Sequence, residues 1–215
     1  MDHQDRPAPL SEEYLRTHTV GELKPLSAPI RLVAYDPAWP DRFQHEAGKI
    51  RRALGEHVLR IEHVGSTSVP GLPAKPIIDI LLVVADSAEE TEYVNALEGT
   101  GYELHVREPG WYEHRMFKGP ENDVNLHVFS MGCPEVVRML AFRDWLRTHE
   151  SDRELYARCK QTLAEQEWKY TQNYADAKAP VIEEIMSRVR GRGEIPGELR
   201  VPSVSGSPPG NNETS

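Results

Sequence analysis

The stretch His63-Val64-Gly65-Ser66-Thr67-Ser68-Val69-Pro70-Gly71-Leu72-Pro73-Ala74-Lys75-Pro76-Ile77-Ile78-Asp79-Ile80 joins a turn of small residues to an apolar strand that carries a carboxylate. The turn offers consecutive backbone N–H groups and the hydroxyls of Ser66, Thr67 and Ser68, an arrangement able to cradle phosphate oxygens. Lys75 adds a mobile positive charge, and Pro70, Pro73 and Pro76 restrict the loop that carries it, which lowers the ordering entropy lost on binding. Asp79 lies within Ile77 to Val84, an apolar run that reads as a strand and would hold the carboxylate rigidly. A bare carboxylate in such a strand is costly, so Asp79 is expected to have a partner or a task.

Upstream, Val58 to Val64 reads as the strand leading into the turn. Phe43, Ala47, Ile50 and Leu54 share one helical face, and Gly55 ends that helix. Ile30 to Tyr35 reads as an opening strand, broken by Asp36-Pro37. Downstream, Ser87-Ala88-Glu89-Glu90 has the form of a capping box before a short helix that stops at Gly99. Strands are expected at 102–107, 112–117 and 123–129. From Pro134 to Arg190 the pattern is helical in three pieces, interrupted near 148–151 and 171–176. The expected fold is α+β: a mixed β-sheet flanked by helices, with a helical C-terminal part packed on it. Residues 28–190 form the domain. Residues 1–27 are an extension, partly ordered at most, in which Tyr14-Leu15 and Val20 to Leu23 leave room for a short docked element. Residues 191–215, rich in Gly, Pro and Ser, are expected to be a flexible tail.

The chain has 215 residues and a formal net charge of −9, which argues against diffuse attraction to nucleic acid or an anionic membrane. Its two cysteines, Cys133 and Cys159, show no metal-ligand spacing and make a disulfide framework improbable, so a reducing cytoplasm is expected. No apolar run approaches the roughly 18 residues a membrane span needs, and no membrane partner is expected.

The order of Gly65-Ser66, twelve intervening residues and Asp79 resembles the signature of the nucleotidyltransferase fold. The wording His-Val-Gly-Ser-Thr-Ser-Val-Pro-Gly-Leu-x-x-Lys-Pro-Ile-Ile-Asp-Ile is similar to one branch of it, the GrpB family. Leu126-His127-Val128, Phe142-Arg143-Asp144-Trp145, Tyr156-x-x-x-Lys160 and Lys178-x-x-x-Ile182 also resemble that family's wording. The resemblance implies a nucleotidyltransferase-like fold, a nucleoside triphosphate as ligand, magnesium as the divalent ion, and an unknown acceptor. Two departures bear on the metal. Leu81 stands where the second carboxylate of the usual Asp-x-Asp belongs, and Asn125 stands where the family commonly has histidine. GrpB proteins also occur fused to dephospho-CoA kinase, but no phosphate loop ending in Gly-Lys-Ser/Thr occurs here, so a kinase activity is not expected of this chain.

Alternation on the 123–129 strand places Asp123, Asn125 and His127 on one face. Asp79 and His127 are therefore the candidate catalytic residues, and Asp79, Asp123 and His127 the candidate metal ligands. Gly65, Ser66, Thr67 and Lys75, with Arg143 and Arg147 from one helical face, are the candidate substrate contacts. Each has a plainer alternative: a satisfied strand histidine for His127, a solvated lysine for Lys75, and pairing with Asp144 or Glu150 for the arginines. The favoured function is nucleotidyl transfer, against a binding or protein-interaction module that has lost catalysis, or a small phosphate-ester hydrolase on the same scaffold.

Overall fold

Strand β2 (Ile78–Val84) is apolar except at Asp79, and period-two alternation divides its side chains between two packing layers. The computed structural model describes residues 9–192; the expectations for residues 1–8 and for the tail beyond Arg192 fall outside them. β2 pairs antiparallel with β1 (Arg60–Val64) and parallel with β5 (Val124–Ser130). β5 pairs antiparallel with β4 (His114–Lys118), and β4 with β3 (Glu103–Glu108), giving the sheet order β1-β2-β5-β4-β3.

On one face, Ile78, Ile80, Leu82 and Val84 meet Trp39, Phe43, Ala47, Ile50 and Leu54 from helix α2 (Trp39–Leu54) in the main core. Burying side chains such as Phe43, Ile50 and Leu54 stabilises the fold by about 1.5–3 kcal/mol each. After β2 a 3₁₀ turn at Glu90–Glu92 and a short helix α3 (Val94–Glu98) complete that layer. On the opposite face Leu81 and Val83 join Val64 and Phe129 beneath Val136 and Leu140 of helix α4 (Pro134–Thr148). Asp79 points to this second face at its polar end, beside Asn125 and His127 of β5.

The helical part continues with α5 (Glu150–Ala164), α6 (Thr171–Asp176) and α7 (Ala179–Gly191). Val69 and Leu72 from the Gly-Ser loop pack with Trp145, Leu146, Tyr156, Ile185 and Val189, so the loop is clamped between sheet and helices. At the N-terminal end, Ser11 caps helix α1 (Glu12–His18), whose Leu15 packs with Leu10 against Tyr170. This is the short docked element for which the sequence left room.

Three expectations are corrected. Residues 30–35 form no strand: only the isolated bridge between Val33 and Ala74 joins that segment to its neighbour. Ser87 does not cap a helix; its amide donates to Ser130 Oγ at 2.9 Å, and its hydroxyl lies 2.9 Å from the same oxygen. The break foreseen at 171–176 is itself α6, begun by a reciprocal cap between Tyr170 and Asn173. Among the described residues no helix is long and apolar enough to cross a membrane.

Candidate functional site

Gly65 has φ 69° and ψ −173°, a backbone conformation essentially confined to glycine. A Cβ there would lie 2.2 Å from Asp79 Oδ2, so the missing side chain lets the turn press against the carboxylate. Asp79 lies in register with Asn125, whose Nδ2 donates to Asp79 Oδ1 at 2.7 Å. Lys118 Nζ in turn donates to Asn125 Oδ1 at 2.6 Å, which fixes the amide's orientation, since a lysine has only hydrogens to give. His127 Nε2 stands 4.0 Å from Asp79 Oδ1.

These groups line the floor of a cleft of about 790 Å³, into which Ser66, Lys75, Lys118, Lys160 and Lys178 also reach. The lysines come from four places: the loop before β2, strand β4, helix α5 and the start of α7. Burial lowers the pKa of Lys75, Lys118 and Lys178, with Asp79 pulling back in each case. Lys160 is the extreme. It is 2% exposed, donates to Ser66 Oγ at 3.1 Å and to the Pro73 carbonyl, and is brought to about 7 by burial and by Lys178. Burial raises the Asp79 carboxyl, against the Asn125 hydrogen bond and the lysine charges. Its side chain keeps 27% exposure, so the desolvation is that of a cleft floor rather than of a sealed core. Both signs of charge are thus held toward neutrality, and a multivalent anion would relieve the lysines.

The Tyr174 ring lies under Lys178 Nζ at 4.8 Å and Lys75 Nζ at 5.8 Å. Its hydroxyl is buried in the cleft wall with no hydrogen-bond partner among the described residues. Such a group calls for an explanation.

The cleft gathers Ser66, Thr67, Lys75, Asp79 and His127 from the sequence-derived candidates. Thr67 has a holding role: its hydroxyl donates to the Ile77 carbonyl at 3.1 Å and meets His63 Nε2 at 3.0 Å. His63 stacks on Phe43 away from the cleft, and burial, with Arg147 and Arg143 nearby, lowers its pKa to about 4.

Asp123 is a correction. It precedes β5, its carboxylate pairs with Arg42 of α2, and it lines a separate hollow with His45 and Glu46 on the other layer. Strand alternation fails there because Asp123 lies before the regular pairing begins at Val124. The arginines lie beside the turn, where protein groups engage them. Arg143 donates to Glu62 Oε2 at 2.9 Å, the His63 carbonyl at 3.0 Å and Asp144 Oδ1 at 2.7 Å, locking α4 to β1. Arg147 donates to the Ser68 carbonyl at 3.0 Å and faces the hollow that His63 lines. Both brace the turn, and Arg143 also lines a small cavity with Gly65, Ser66, Asp79 and Lys178.

Sequence reasoning missed Lys118, Lys160, Lys178 and Tyr174 as site residues. Lys160 and Lys178 stood in the family-like wording and could have been found there, whereas Lys118 carries no local signal.

Among the described residues no group of three or more His, Cys, Asp or Glu side chains is arranged to hold a metal. A Gly-Ser turn pressed on a strand carboxylate, in a mixed sheet with a helical C-terminal part, is the arrangement that the family resemblance led one to expect. Residues 29–188 match the family model described as GrpB protein, and the chain belongs to the GrpB family. It is 59% identical over 188 residues to UPF0157 protein BH1888 of Halalkalibacterium halodurans, covering 87% of this chain and 96% of that one. The crystal structure of conserved protein GrpB from Enterococcus faecalis superposes with a TM-score of 0.68 at 32% identity, over 76% of this chain and 99% of that one. A dephospho-CoA kinase of Mycolicibacterium paratuberculosis is 29% identical over 189 residues, matching 76% of this chain but 46% of the kinase.

Proposed function

We propose that the cleft binds a nucleoside triphosphate by its phosphates and transfers the nucleotidyl group to an acceptor hydroxyl. The observation that carries this reading is the convergence of Lys75, Lys118, Lys160 and Lys178 on one carboxylate beneath the Gly-Ser turn. Ammonium groups in a partly desolvated cleft stabilise phosphate charge directly, and more strongly as charge moves onto the leaving pyrophosphate. In the transfer the acceptor O–H bond breaks and its electron pair forms the new O–P bond. The P–O bond to pyrophosphate breaks with its pair leaving on pyrophosphate. The proton passes to His127 Nε2, which stands 4.0 Å from Asp79 Oδ1.

The donor set does not fit the magnesium centre foreseen from Asp79, Asp123 and His127. Magnesium takes hard oxygen ligands, and with Asp123 paired to Arg42, Asp79 is left without a second carboxylate beside the Gly-Ser turn among the described residues. Charge neutralisation therefore falls to the lysines, and an ion, where one takes part, would come with the nucleotide. The runner-up reading, a binding module without turnover, is favoured by Leu81 and Asn125 in place of acidic or histidine ligands.

Calorimetry with the four nucleoside triphosphates, with and without magnesium, tests the binding. Affinity that persists without magnesium and falls at least tenfold in Tyr174→Phe, with the melting temperature unchanged, is the expected result. Absence of binding by any triphosphate at millimolar concentration would refute it, and binding without pyrophosphate release would select the runner-up.

A further inference from the structure

Four side chains form a continuous line from the N-terminal helix to the floor of the cleft. Tyr14 Oη on α1 donates to Glu108 Oε1 at 3.0 Å, and Glu108 Oε2 lies 2.7 Å from His114 Nδ1. His114 Nε2 lies 3.1 Å from His127 Nδ1, and His127 Nε2 faces Asp79 Oδ1 across 4.0 Å. Glu108 is 1% exposed and His114 5% exposed. His114 also stacks on Phe129 at 4.7 Å and meets Trp111 edge to face at 5.2 Å, so its ring plane is set by packing as well as by hydrogen bonds.

We propose that Tyr14, Glu108 and His114 are positioning residues that fix the ring orientation and tautomer of His127, so that the site is complete only when the N-terminal segment is docked. An ionised carboxylate only accepts hydrogen bonds, so the His114 hydrogen sits on Nδ1. At a pH where the ring is neutral it accepts at Nε2, which places the His127 hydrogen on Nδ1 and a lone pair on His127 Nε2. His127 Nε2 then faces the Asp79 side of the cleft as a base toward the acceptor hydroxyl, the proton donor of the proposed transfer. The assignment rests on that reading only for the identity of the donor.

The N-terminal segment is well placed for this control. Residues 9–28 lie outside the stretch that matches the family model, yet Tyr14, His18 and Leu23 line the cleft. The segment spans the mouth of the cleft: Val20 donates to the His105 carbonyl on β3, and Leu26 to the Lys169 carbonyl beside α6. Leu10 N donates to Asp176 Oδ2 at 2.9 Å. Its first helix therefore reports closure to His127 through Glu108.

The test needs no nucleotide, so its failure is separable from failure of the proposed function. Two-bond proton–nitrogen correlation spectra of the ¹⁵N-labelled full chain, at alkaline pH where imidazoles are neutral, read both tautomers. Wild type is expected to show Nδ1–H forms for His114 and His127, against the Nε2–H preference of free imidazole. Glu108→Gln should convert His127 to a mixture, and Tyr14→Phe, a milder change, should move the His127 resonances. An Nε2–H His127 in wild type would overturn the assignment. Unchanged His127 resonances in Tyr14→Phe would disconnect the N-terminal segment from the site.

Discussion

Gly65→Ala is the most incisive single change to this site, because the glycine serves the backbone and the carboxylate at once. A Cβ at position 65 would lie 2.2 Å from Asp79 Oδ2 and 2.8 Å from both Asp79 Cβ and Cγ. An ordinary carbon–oxygen contact is longer by about 1 Å, so the Asp79 side chain must retreat by about that distance. The retreat strains or breaks the 2.7 Å hydrogen bond from Asn125. Losing a hydrogen bond to a charged group costs about 1.5–3 kcal/mol. A non-glycine residue at φ 69°, ψ −173° adds about 1–3 kcal/mol. The sum, about 2.5–6 kcal/mol, takes much of a typical margin of about 5–15 kcal/mol. Urea unfolding should show the midpoint falling at unchanged slope, and calorimetry should show triphosphate affinity falling. A displacement of 1 Å at a reacting centre costs about 100-fold in rate. A variant with wild-type midpoint and wild-type affinity would refute the claim that the turn and Asp79 are packed as one unit.

Two further outcomes are expected. Lys160, brought to about 7 by burial, is only partly charged near neutrality, so triphosphate binding should take up protons above that pH and weaken as pH rises. Calorimetry in buffers of different ionisation enthalpy reads the uptake, and Lys160→Met should abolish it. The same depressed value means the unfolded chain binds more protons between about pH 7 and 10, so this group makes stability rise with pH across that window, a slope Lys160→Met should flatten. Arg143→Ala should lower stability by about 1–3 kcal/mol in urea, a figure discounted because Glu62 and Asp144 keep 29% and 49% exposure. Its triphosphate affinity should stay within about twofold of wild type, and a tenfold loss would return Arg143 to the binding site.

The fold was legible wherever one periodicity acted alone. β2, α2 and the β3 to β5 strands follow from apolar alternation or helical spacing, because each buries one defined face. Ile30 to Tyr35 misled because local alternation says nothing about a partner, and without a paired neighbour the segment stays extended with a single bridge. Asp79, Ser66 and Lys75 were legible since turn and strand adjoin in the chain. Lys118, Lys160 and Lys178 were not, because their meeting depends on β4 pairing with β5 and on α5 and α7 closing over the turn, contacts separated by tens of residues. Arg143 and Arg147 illustrate the converse: a shared helical face was read correctly, but which neighbour that face meets is a tertiary fact.

The departures from the nucleotidyltransferase pattern are mutually consistent. Leu81 has 0% exposure beneath Val136 and Leu140 of α4, so a carboxylate there would be buried among apolar groups. Asn125 is bound on one side by Lys118 and on the other by Asp79, a bridge that uses both ends of a carboxamide. An aspartate could not donate to Asp79 without first taking up a proton. The lysines, the Asp79 carboxylate and the bridging Asn125 amide therefore form one charged set under the Gly-Ser turn, and calorimetry without magnesium would read whether that set alone holds phosphate.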